Sequence, residues 1–111
     1  VKPDMTIFRE EIFGPVATIV TFANFDEAVS IANDTVYGLA NGLWTSSLDK
    51  ALAMVRKLRS GTIYVNTYLE TLPQLPFGGM KESGKGRENG TEGLQEFLES
   101  KAAYIKLRTS F

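Results

Sequence analysis

Cysteine and histidine are both absent from this chain of 111 residues. Without thiols there is no disulfide scaffold and no thiolate metal centre, and no other residue set is expected to hold a metal. The missing cysteine favours a reducing compartment, so a cytoplasmic location is expected. Neither sign of charge is in surplus: 12 basic residues face 13 acidic ones for a net charge of −1. That balance gives no electrostatic case for nucleic acid or for an anionic membrane surface. No apolar run approaches the roughly 20 residues that a membrane span needs. The chain starts at Val1 with neither an initiator methionine nor a signal peptide, as expected of a segment excised from a longer polypeptide.

What is present is ordinary for a globular protein, with 43% hydrophobic and 23% charged residues. The length suits one domain with one core. Residues 16–23 form an apolar, β-branched run directly after Pro15, which predicts a strand buried on both faces. Asn24 and Glu27 have the spacing of a capping box, and Phe25, Ala28, Val29 and Ala32 recur at helical spacing until Asn33-Asp34 closes the helix. Residues 39–45 predict a second strand, in which Gly38 and Gly42 either weaken pairing or mark a close approach. Ser46 is placed to cap a second helix with the stripe Leu48, Ala51, Leu52, Val55 and Leu58, and Gly61 suits the position just beyond its end. Residues 62–66 make a third strand. This alternation predicts an α/β fold with a small, mainly parallel, three-stranded sheet and flanking helices, three-layered in type.

Residues 67–90 show no period and hold two of the four prolines and five of the ten glycines. A loop of that length inside a domain is functional or disordered. Asn89 and Glu92 then offer a capping box for a third helix carrying Leu94, Phe97 and Leu98. Residues 102–107 alternate in polarity and predict a protruding C-terminal strand.

Two motifs carry chemistry. Glu11-Ile12-Phe13-Gly14-Pro15 puts a carboxylate and an aromatic ring beside a turn signal. Pro76-Phe77-Gly78-Gly79-Met80-Lys81-Glu82-Ser83-Gly84-Lys85-Gly86-Arg87-Glu88 is glycine-rich and nearly spells a phosphate-cradling loop. Gly86 stands where that loop needs Ser or Thr, and no helix is expected to begin at Lys85, so phosphate binding is not expected. Asn66 at a strand end suits a turn or cap, Trp44 a core or interface position, and Arg87 is expected to pair with Glu99, within one chain or across a dimer.

Together the two motifs resemble the C-terminal part of the aldehyde dehydrogenase family, with Thr67-Tyr68-Leu69-Glu70 similar to betaine-aldehyde-type members. The resemblance runs from about residue 6 to residue 107. It implies residues 1–98 as the last part of a catalytic domain and residues 99–111 as an oligomerisation strand and tail. It implies that Glu11 accepts hydrogen bonds from the ribose hydroxyls of NAD or NADP and that Phe13 lies against the nicotinamide. It further implies Phe77, and Thr71 by ungapped alignment, as walls of the substrate tunnel, with Tyr68, Leu69 and Leu72 near its mouth. Catalytic residues are expected to be none in this chain. The family's cysteine nucleophile and glutamate base lie upstream of these motifs, so the chain alone is expected to be inactive and to bind neither cofactor tightly. The partners implied are the rest of the parent polypeptide, an aldehyde substrate and further copies in a homo-oligomer. The other readings are a nucleotide-binding module using residues 79–86 and an oligomerisation or structural module without ligand.

Overall fold

The computed structural model describes residues 1–108, so the end of the tail expected at 99–111 lies outside the described residues. Four helices and two strands are formed: α1 (Thr6–Arg9), α2 (Phe25–Asn33), β1 (Ala40–Leu43), α3 (Leu48–Lys57), β2 (Thr62–Val65) and α4 (Gly90–Gln95). A single 3₁₀ turn, Lys81–Ser83, interrupts the long loop.

The local signals place α2 well. Asn24 Oδ1 accepts from the Glu27 amide at 3.0 Å, while Glu27 reaches back to the Ala23 amide at 2.6 Å. The first bond satisfies a donor that the helix start leaves free, and the second ties the residue before the cap to the first turn. The α2 stripe of Phe25, Ala28, Val29 and Ala32 is half-buried along its length. Helix α3 is capped by Ser47, not by Ser46 as expected: Ser47 Oγ accepts from the Lys50 amide at 3.3 Å. Its end is at Leu58, three residues before Gly61. Lys57 meets Asp26 at 2.9 Å, and Asn33 Nδ2 donates to the Lys57 carbonyl at 2.9 Å, which ties the two helices together.

Strands β1 and β2 pair in parallel, Ala40 opposite Thr62 through Leu43 opposite Val65, with α3 as the crossover. That is one βαβ unit, and it makes the fold α/β. The core lies around it: Ala51, Leu58 and Tyr64 are buried, and the buried Ser60 hydroxyl accepts from Asn41 at 2.9 Å. Tyr64 packs edge-to-face on Tyr68, ring centres 5.3 Å apart.

Three expected elements differ. The described sheet has two strands, not three, because residues 16–23 have no regular structure. Val16, Ile19 and Phe22 are 52%, 75% and 60% exposed. An apolar run becomes a strand only where a neighbouring strand offers it a ladder of backbone partners; across the chain the run receives one such bond, from the Val1 ammonium to the Ile19 carbonyl at 2.6 Å, and no described strand runs beside it. Residues 102–107 fail for the same reason, with Tyr104, Ile105 and Leu107 open to solvent and unpaired. Helix α4 stops at Gln95, so Leu94, Phe97 and Leu98 never form one buried face. Asn89 precedes α4 with a φ of 61° and does not cap it through its side chain. The unpaired ends stretch the molecule to 80 × 32 × 24 Å, with a radius of gyration of 20.6 Å. A compact chain of this length would be near about 13 Å.

Candidate functional site

The Glu11 motif follows directly on α1. Arg9, the last residue of α1, donates through Nε to the Pro3 carbonyl at 2.8 Å and through Nη1 to the Asp34 carbonyl at 3.1 Å. The same Nη1 lies 2.8 Å from the Asp34 carboxylate. Two residues on, Glu11 is exposed and its carboxylate has no protein partner among the described residues. Phe13 takes a left-handed φ of 51° and is 93% exposed, so its ring stands out from the turn. A bulky residue in that region is held at a cost that is typical of functional turns. A cleft of about 210 Å³ contains both Glu11 and Phe13.

The Arg9–Asp34 pair has a pH consequence. The guanidinium holds the Asp34 carboxyl below its ordinary value, first through the hydrogen bond and then through charge, with desolvation working against both. A lowered native value means that the contribution is full above the unfolded value and is lost as pH falls through the native one. We therefore expect Asp34→Asn to lower the neutral unfolding midpoint slightly and to flatten the acid-side fall by the same small amount, so that the two curves converge at acid pH. A thermal unfolding series from neutral to acidic pH checks this, and an unchanged acid slope contradicts it.

Thr71 and Phe77 are brought together. Both line a cavity of about 220 Å³ beside β2, together with Ile63, Tyr64, Leu72 and Leu75. Phe77 is fixed by a reciprocal backbone pair with Glu88, 2.7 Å in each direction, which folds the loop into a short antiparallel bridge. Of the three tunnel-mouth residues, Leu72 lines the cavity, Tyr68 turns to Tyr64 and Gly42, and Leu69 is 73% exposed. Sequence reasoning missed Leu75 and Ile63 in this wall. The alternation of Ile63 and Val65 along β2 was the available signal, whereas nothing local marks Leu75.

The Glu11 and Phe77 regions adjoin. A cleft of about 330 Å³ is lined by Glu11 together with Tyr37, Leu39 and Ser83. Leu39 and Ser83 also line a groove that includes Phe77.

Other motif residues find structural partners. Asn66, at a φ of 58°, accepts from the Thr45 amide at 2.8 Å and donates to the Thr45 carbonyl at 2.9 Å, so it serves as a turn lock at the end of β2. In the glycine loop the Met80 and Glu82 amides donate to the Gly38 and Val36 carbonyls and the Ser83 amide to the Met80 carbonyl. A phosphate cradle needs such amides free, so the near-match at 79–86 is not one. Arg87 does not meet Glu99. Its Nη1 donates to the Gly79 and Gly86 carbonyls at 2.7 and 2.8 Å, and its amide donates to Glu96 at 3.2 Å. Glu99 lies beyond the short α4, in a tail without regular structure. Trp44 is 67% exposed, which removes it from the core. Among the described residues no acidic cluster could hold a metal, and no helix is long and apolar enough to cross a membrane.

The profile of the Aldehyde dehydrogenase family matches residues 1–103. The chain belongs to the aldehyde dehydrogenase family. Chicken aldehyde dehydrogenase 1A1 is 50% identical over 107 residues, covering 96% of this chain and 21% of that protein. The solved NAD-dependent aldehyde dehydrogenase from Sinorhizobium meliloti superposes with a TM-score of 0.93 at 44% identity, over 99% of this chain and 22% of that one. Betaine aldehyde dehydrogenase from Staphylococcus aureus, solved with NAD+, gives a TM-score of 0.88 at 44% identity, over 91% of this chain and 20% of its own. The chain thus spans about a fifth of the length of these three aldehyde dehydrogenases.

Proposed function

We propose that this chain is the cofactor-aligning and tunnel-lining portion of an enzyme that oxidises aldehydes to carboxylic acids with NAD or NADP. The observation that carries the reading is the Glu11 carboxylate: exposed, without a partner among the described residues and beside an outward-facing Phe13. A free carboxylate suits a vicinal diol, because its two oxygens accept from both hydroxyls at once. The cofactor's ribose hydroxyls fit that acceptor, and when bound the cofactor supplies the hydride acceptor. Glu11 would then hold the ribose and Phe13 would flank the ring. Phe77 and Thr71 would wall the path of the aldehyde, with Leu39 between the two regions. The nucleophile and base would come from the rest of the polypeptide.

Residues 1–98 would close that catalytic domain, and the tail from residue 99 would join a second copy in a homo-oligomer. Tyr104, Ile105 and Leu107, apolar and 79–93% exposed, favour such a pairing. A chain used for assembly alone is the competing reading, and the Glu11 test separates the two.

In a complete aldehyde dehydrogenase carrying this segment, Glu11→Gln should weaken cofactor binding or slow hydride transfer by about tenfold. An amide keeps one acceptor but loses the charged bidentate grip, about 1–2 kcal/mol. Cofactor titration and single-turnover kinetics read this directly. Normal values in both refute the ribose assignment and favour assembly alone.

A further inference from the structure

The carbonyl end of α2 is held by cations from two distant parts of the chain. Three consecutive carbonyls accept from them: Asn33 and Thr35 from Lys81 Nζ, each at 2.9 Å, and Asp34 from Arg9 Nη1 at 3.1 Å. A helix C-terminus is the negative end of its dipole and favours positive charge, yet α2 has no basic residue in its own last turn. Its cations instead come from the residue two before Glu11 and from the loop four residues after Phe77.

The surrounding bonds extend both holds. Arg9 also grips the Asp34 carboxylate and the Pro3 carbonyl, which fixes α1 and the turn that follows. Lys81, half-buried at a φ of 54°, starts the 3₁₀ turn whose neighbours are laid along residues 36–38. There the Met80 amide donates to the Gly38 carbonyl, the Glu82 amide to the Val36 carbonyl, and the Gly38 amide to Ser83 Oγ. The segment just after α2 therefore carries the Glu11 turn on one side and the Phe77 loop on the other.

We propose that Arg9 and Lys81 are positioning residues that register the Glu11 turn and the Phe77 loop on one anchor, the carbonyl end of α2. The inference rests on the roles proposed above for Glu11 and Phe77. Neither cation touches the reacting atoms; each acts through the segment that it holds.

The test uses a complete aldehyde dehydrogenase carrying this segment, with Arg9→Gln, Arg9→Lys, Lys81→Met and Glu11→Gln compared. NAD+ affinity is measured by calorimetric titration, aldehyde KM by steady-state kinetics and the folded fraction by thermal unfolding. Loss of one hold displaces one segment, so Arg9→Gln should weaken NAD+ binding about fivefold and Lys81→Met should raise the aldehyde KM about fivefold. Each should leave the other constant near its starting value, and Arg9→Lys should recover part of the NAD+ affinity by keeping the cation. Equal changes in both constants that track the thermal midpoint mean a merely structural role and overturn the proposal. So does Glu11→Gln losing NAD+ affinity while Arg9→Gln keeps it. Glu11→Gln with both NAD+ affinity and single-turnover hydride transfer normal overturns the ribose assignment, and the anchor's function with it.

Discussion

Gly61→Ala is expected to be the most damaging single substitution in the described fold. A methyl at Gly61 would lie inside the Gly78 carbonyl group, with the Gly79 Cα only 3.5 Å away. The obstacle is the Gly78–Gly79 backbone, so no side chain can turn aside. Gly61 lies one residue before β2, and Gly78 follows Phe77, so the overlap falls where the glycine loop seats against the sheet. Relief requires lifting that loop, which would break the Met80–Gly38 bond and open the Phe77 wall. Forcing a methyl into such a contact costs about 3 kcal/mol or more, which is large against the stability of a small domain. The unfolding midpoint should drop by more than about 10 °C. Gly86→Ala is the control, since its methyl would meet nothing closer than the Glu96 carboxyl at 3.6 Å. A Gly61→Ala midpoint equal to that of the control would mean that the loop does not seat there.

By itself, the chain is expected to oxidise no aldehyde at all. The proposed chemistry needs a thiolate to add to the carbonyl carbon and a base to activate the water that releases the acid. With no cysteine and no histidine, the chain has no residue for the first task. Its tyrosines, serines and lysines offer weaker nucleophiles. Of the hydroxyls that do meet a carboxylate, Thr67 bonds Glu70 at 2.6 Å in a local turn, and Thr91 bonds the adjacent Glu92 at 3.1 Å. Neither pair is aligned by a third group, the arrangement that activates a hydroxyl. Pure protein incubated with several aldehydes and either cofactor, and followed by the absorbance of the reduced cofactor, should stay at the background rate. Turnover that grows with protein concentration would show that a catalytic group lies within these residues and would displace the proposed division of labour.

Local signals fixed much of the secondary structure. The Asn24–Glu27 spacing and the 3.6-residue stripe of α2 describe bonds made within a few residues, and such bonds form in the same way wherever the segment sits. The missing thiol and the two motifs, one around Glu11 and one around Phe77, are likewise complete in the sequence, and they lead to the family that the comparisons show. What a segment pairs with is not written in the segment. Residues 16–23 and 102–107 have strand-like composition, yet no described strand runs beside either, and a ladder needs a second backbone along its length. Gly61 reads as a helix terminator, and only the fold reveals it as the point where the Gly78 backbone passes. The helix-end position of Glu99 and the planar fork of Arg87 pointed the two at each other, whereas within the chain the hairpin at Phe77 and Glu88 delivers the guanidinium to two carbonyls. The cations that complete α2 come from far along the chain: Arg9 lies 25 residues before the Asp34 carbonyl it meets, and Lys81 lies 48 after the Asn33 carbonyl. No local pattern encodes such a distance; the shape of the folded chain alone brings those charges to the end of a helix that has none of its own.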